Sequence, residues 1–303
     1  MLISLIAGIV AALCYGVATV IQAIAVREAA RGRARHADGG PDGVDAGLLI
    51  RMLRQWRFTV SLVIDLLGFG AQLVALHRLP LFVVQAMVAA ELAVIAVLAS
   101  MVMNARMRVR EWLAVGGVIA GVASLGLSAG AEGATAAGTS FKAALLIAVG
   151  ILAVAGFAAG RLRGVTRTLL LGAVAGLGYG VVGVAARVLT GFAPLSLARD
   201  PAAYAVVAAA VVAFTFYTSA LDGGDVTVTT AAIVLTETLP PAVIGVLFLG
   251  DTTRPGIAPA AAAGVGFILA VSCALLLARF GEPGEPGEPG EPGDHEASPA
   301  VLP

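Results

Sequence analysis

The feature that most limits how this chain can fold is a succession of apolar runs from Leu2 to Ala278. Each is close to the ~20 residues a helix needs to cross the ~30 Å hydrocarbon core of a bilayer. They read as Leu2–Val26, Phe58–Leu76, Leu79–Met103, Trp112–Gly130, Phe141–Gly160, Thr168–Thr190, Ala202–Leu221, Val226–Leu249 and Ile257–Ala278. Only 13% of the residues are charged and 59% are hydrophobic, against roughly 25% and 45–50% in soluble domains. So little charge cannot clothe one large core, whereas nine spans need no such clothing. The expected fold class is all-α, a polytopic transmembrane bundle. The first run has no positive charge ahead of it and is too long for a signal-peptide core, so it reads as a retained span.

The 38 glycines suit close helix packing in lipid. Zero net charge gives no footprint for nucleic acid. Cys14 and Cys273 both lie in apolar runs, as buried thiols do, and form neither a disulfide framework nor a zinc site.

The basic residues are unevenly placed. Of the 19 Lys and Arg, 14 fall in the segments Arg27–Arg57, Arg106–Arg110 and Arg161–Arg167 or at Arg279. Arg78, Lys142, Arg199 and Arg254 fall on the other side, and Arg187 sits near the end of the sixth run. The positive-inside rule then places the N-terminus outside and the C-terminus in the cytoplasm of a plasma-membrane protein.

Two runs carry an acid at the centre, Glu91 and Glu237, 146 positions apart. At that offset Val84, Met87 and Val88 fall on Thr230, Ile233 and Val234, and each set occupies one helical face. Tyr15-Gly16 and Tyr179-Gly180 pair at an offset of 164, within the first and sixth runs. The expected organisation is therefore a first transmembrane repeat over 1–130, a linking span over 131–166 and a second repeat over 167–279. An even repeat plus one linker inverts the second copy, and inverted repeats carry their sites near mid-depth. The remainder, 280–303, holds four Gly-Glu-Pro triplets and reads as a disordered acidic cytoplasmic tail.

Ionisable groups at mid-depth cost about 2.5–3.5 kcal/mol each on insertion scales, and they mark function more often than packing. Glu91 and Glu237 are the leading candidates to bind a solute or ion, and the only candidates to meet a metal. Asp65 joins them, with Gln72 two turns along the same face and Thr230 two turns before Glu237. For Asp65, a hydrogen bond to a neighbouring helix is an equal reading. Tyr15 and Tyr179 either line a cavity or pack beside the glycines that follow them. Pro240-Pro241 removes helix hydrogen bonds and frees carbonyl oxygens next to Glu237. Arg187 either pairs with an acid or reaches the headgroups. Catalysis has no support: no H-E-x-x-H, G-x-S-x-G or P-loop pattern occurs, and the three histidines are scattered. No cofactor is implied.

The stretch Leu67 to Glu91, with Ala75-Leu76-His77-Arg78-Leu79-Pro80 between its two runs, resembles the second and third helices of the drug/metabolite transporter (DMT) superfamily. The nine-span count and outside N-terminus resemble its NIPA-type branch, associated with magnesium transport. The resemblance implies a bundle of two inverted halves, one helix short of ten. Together these readings point to a secondary transporter. It would move a small solute, with a divalent cation such as magnesium as one candidate, by alternating access through a midplane cavity. The alternative within transport is an exporter of a small organic metabolite or drug; the alternative outside it is a non-catalytic integral membrane scaffold. The partners are the lipid bilayer and the solute, with a homodimer left open.

Overall fold

The computed structural model describes residues 2–33, 56–103, 107–130, 133, 137–191, 193–221 and 226–278. The tail from 280 and most of the loop after the first span lie outside the described residues. In chain order the helices are α1 (Leu2–Arg33), α2 (Trp56–Leu76), α3 (Leu81–Ala89), α4 (Glu91–Met103), α5 (Val109–Ser128), α6 (Thr139–Gly160), α7 (Gly164–Arg187), α8 (Pro194–Arg199), α9 (Pro201–Leu221), α10 (Val226–Phe248) and α11 (Ile257–Ala278). Among the described residues, nine spans are long and apolar enough to cross a membrane, α3 and α4 counting as one. The chain is a multi-pass membrane protein. Its outer surface agrees: α6 exposes Ile147, Ile151, Val154 and Phe157 on one side, an apolar stripe of the kind that faces lipid.

Two boundaries differ from the sequence reading. The first helix continues past Val26 to Arg33, so Arg27, Arg31 and Arg33 are helical. The segment is rich in Ala, Arg and Glu, which propagate a helix after the apolar run has ended. The third span is broken at Ala90. The Ala90 N–H reaches both Ala86 O and Met87 O at 3.1 Å, and the Ala93 N–H returns to Ala90 O at 3.0 Å. This tight turn sits immediately before Glu91.

Helix packing follows a doubled pattern. α1 packs on α2 and α4, and α7 packs on α9 and α10. α5 packs along α11, α3 lies against α10, and α6 runs beside α7 and α9. Matched glycines make the close approaches. A Cβ at Gly16 would stand 2.7 Å from Val94 Cβ and 3.2 Å from Glu91 O. A Cβ at Gly180 would stand 2.9 Å from Pro241 Cγ and 3.4 Å from Glu237 O. The two glycines of the Tyr-Gly pairs thus seat their helices on the two glutamate carbonyls. α5 and α11 cross reciprocally: a Cβ at Gly121 would lie 2.6 Å from Gly266 O, and one at Gly266 would lie 2.9 Å from Gly121 O.

At the α5–α11 crossing the colliding atoms are backbone, which cannot swing aside. Gly121→Ala is therefore expected to cost about 1–3 kcal/mol and to lower the melting temperature in detergent by several degrees. Gly116→Ala, with open space around the new methyl, is expected to leave melting unchanged or raise it slightly. Equal melting of the two variants would show that the crossing is looser than described.

Candidate functional site

Polar side chains from six helices converge in the middle of the bundle. Glu91 begins α4 and Glu237 lies midway along α10. Glu91 is within electrostatic reach of both Glu237 and Asp65. Tyr15 of α1 and Tyr179 of α7 each lie within reach of all three acids, and Tyr217 of α9 within reach of Glu91 and Asp65. The sequence candidates Tyr15, Asp65, Glu91, Tyr179 and Glu237 are thus brought together. Tyr217 joins them unforeseen; Ala71 and Leu53, 146 and 164 positions earlier, do not match it, so it gave no signal.

The members differ in how they are satisfied. Tyr15 donates its hydroxyl hydrogen to Gln72 Oε1 at 2.6 Å, which fixes both between α1 and α2. Asp65 Oδ2 accepts from Gln22 Nε2 at 2.6 Å, again from α1. Asp65 therefore has the neighbouring-helix hydrogen bond that was its alternative reading. Gln22 was legible as an amide seven residues after Tyr15, on the same face of an apolar run. Thr230 is half-buried two turns before Glu237, and no hydrogen bond ties it to the acids among the described residues.

Glu91 and Glu237 stand apart. No protein donor reaches either carboxylate among the described residues, and both residues are half-buried. No lysine or arginine is among the groups acting on Glu91, Glu237 or Asp65. An acid in that setting must hold a proton, a cation or water. Among the described residues no three His, Cys, Asp or Glu side chains sit close enough to hold a bare metal ion. Two cavities, of about 190 and 280 Å³, lie elsewhere and are lined by none of the acids.

The prolines act as their chemistry requires. Pro241 has no N–H to give to the Glu237 carbonyl one turn before it. Gln85 Nε2 supplies the missing donor at 3.1 Å, from α3. Gln85 is only 2% exposed, so this contact is dry. A lone amide in an apolar run six residues before Glu91 was the available signal for it.

The remaining charges sit at the helix ends. Arg187 does not run out to the headgroups. Its Nη1 donates to Leu76 O at 3.1 Å, and its Nη2 approaches Gly133 O and Asp251 Oδ1 at 3.4 Å. Lys142 donates to both oxygens of Asp200 at 2.9 and 2.8 Å. Burial alone would raise the Asp200 carboxyl, but the bonds from Lys142, Thr190 and the Ala202 N–H outweigh it and hold it well below the usual carboxylate range.

Comparison with protein-family models, with curated proteins and with solved structures finds no match for this chain.

Replacing Gln85 with Leu keeps the volume and leaves the proline-freed carbonyl without its donor. Gln85→Leu is expected to destabilise the protein by about 1–3 kcal/mol, read as a lower melting temperature in detergent. An unchanged melting temperature would mean that another group satisfies Glu237 O.

Proposed function

We propose that the chain is a secondary transporter built from two inverted halves, 1–130 and 167–279, joined by the span in 131–166. The likeness to the drug/metabolite transporter superfamily, and to its NIPA-type branch, belongs to this proposal. The doubled packing supports the repeat: each half sets a Tyr-Gly helix against a glutamate carbonyl, and Gly121 and Gly266 meet reciprocally. In this reading the halves rock about the central acids and expose them to each side in turn. The arginine-rich loops face the cytoplasm and the N-terminus faces outward.

The observation that carries the reading is the pair Glu91 and Glu237, half-buried, within electrostatic reach of each other and without protein donors among the described residues. With no basic side chain acting on them, the site suits a cation or a coupling proton and disfavours an anionic substrate. A hydrated magnesium ion sheds water reluctantly and would meet the two carboxylates through its own waters. The three phenol rings around the acids favour a second reading, a small organic solute carrying positive charge, held partly by ring faces and exported.

Purified protein in liposomes tests both readings, with Mg²⁺ and a set of organic cations as probes. Glu91→Gln and Glu237→Gln keep shape and hydrogen bonding while removing charge. Each is expected to fold and to retain about a tenth or less of the wild-type transport rate, because the charge that attracts the cation is gone. Undiminished transport in both variants would leave the glutamates as packing residues and remove the basis for a cation site.

A further inference from the structure

One end of the bundle carries a polar network that includes none of the central acids. Its hub is Asp251, whose side chain has no exposure, paired with Arg187 at 3.4 Å. Gly250 adopts a left-handed φ of 73° and turns the chain after α10 so that Asp251 points back inward. Asp251 Oδ2 accepts the Leu81 N–H at 2.6 Å, capping the start of α3. Asp251 Oδ1 accepts the Gly133 N–H at 3.0 Å. Arg187 then ties in the Leu76 carbonyl at the end of α2. Leu76, Leu81 and Gly133 belong to the first half or its outgoing connection; Arg187 and Asp251 belong to the second. Beside the hub, α3 and α10 nearly touch: a Cβ at Gly245 would lie 3.0 Å from Leu81 Cβ.

The opposite end is built differently. Past Glu91, α4 packs on α1 and α11 rather than on α10. What crosses between α2 and α9 there is a ring contact, Phe58 to Phe214, with centroids 6.0 Å apart.

We propose that the Arg187–Asp251 network is a latch that holds one mouth of the transport path shut, and that it must part whenever the acids face that side. The inference rests on the transporter reading. Its chemistry suits the task. The bonds lie at the ends of spans, where entering water replaces each partner as the halves separate, so the latch opens without stranding a charge in hydrocarbon. A fully apolar seal would instead have to expose hydrocarbon to water at every opening.

The test uses proteoliposomes of full-length protein and a membrane-impermeant maleimide. Tyr179→Cys places a reporter thiol among the acids in a Cys14→Ser background, and Arg254→Cys, at an exposed position, identifies vesicles presenting the latch end outward. From that side, Asp251→Asn is expected to raise reporter labelling about tenfold or more, as a minor open state gains population. A disulfide between Leu81→Cys and Gly245→Cys should suppress labelling below the rate of the same variant when reduced, the reference needed because a side chain at Gly245 also crowds Asp251 Oδ2, 2.8 Å from its Cβ. The latch is overturned if a folded Asp251→Asn leaves labelling from that side within about twofold of the starting rate, or if the formed disulfide leaves it within about twofold of the reduced variant. If Asp251→Asn does not fold, the reversible disulfide decides alone. The readout needs no substrate, so a latch that responds while protein retaining Tyr179 moves no solute would count against the transporter reading and not against the latch.

Discussion

Inside a bilayer no solvent completes a hydrogen bond, so every polar group in the hydrocarbon layer must find its partner within the protein. Much of this bundle follows from that constraint. Pro241 deprives Glu237 of its helical donor, and Gln85 replaces it from another helix. Asp65 is met by Gln22 and Tyr15 by Gln72, which locks α1 to α2 at two levels. Asp251 gathers two backbone N–H groups and a guanidinium where three connections come together. Against this background Glu91 and Glu237 are exceptions, for no side chain or backbone donor completes them among the described residues. On the proposed reading the exception locates the site: a group that the protein leaves incomplete is available to something that arrives.

Bringing two acids together at depth requires helices to approach more closely than side chains normally allow. Glycine supplies that approach. Gly16 and Gly180 let α1 and α7 rest on the carbonyls of the two glutamates, and Gly121 with Gly266 lets α5 and α11 cross backbone to backbone. α3 and α10 meet beside Glu237, through Gln85, and again at Leu81 and Gly245.

Much of the architecture was legible in the sequence because hydropathy and length are local properties. All nine spans stand within a few residues of where the apolar runs place them. The acids and Tyr-Gly pairs could be seen to match because tyrosine and glutamate are rare in this composition. Helical ends were less legible: Arg27 to Arg33 looked like loop, but helix propensity there outlasts the apolar run. The break at Ala90 left no mark, since a tight turn inside an apolar helix needs no glycine or proline. Partnerships were the hardest to read. Gln22 and Asp65 are 43 positions apart, and Gln85 and Glu237 are 152 apart, and no spacing rule joins residues across separate helices. Arg187 was an ambiguous cation until Asp251, in a loop with no distinguishing motif, proved to be its partner.

The central claim is that Glu91 and Glu237 face one shared space rather than lipid or two separate niches. Modification by a hydrophobic carbodiimide, followed by mass spectrometry of the intact protein and its peptides, tests this most directly. Such a reagent reacts with carboxyl groups in apolar surroundings and leaves a bulky adduct. The account predicts adducts at Glu91 or at Glu237 but rarely at both in one molecule, because the first adduct fills the space that the second would need. It also predicts slower modification in the presence of a transported cation. Independent modification of both residues to completion, unaffected by any cation, would place the two carboxylates in separate environments and contradict the account.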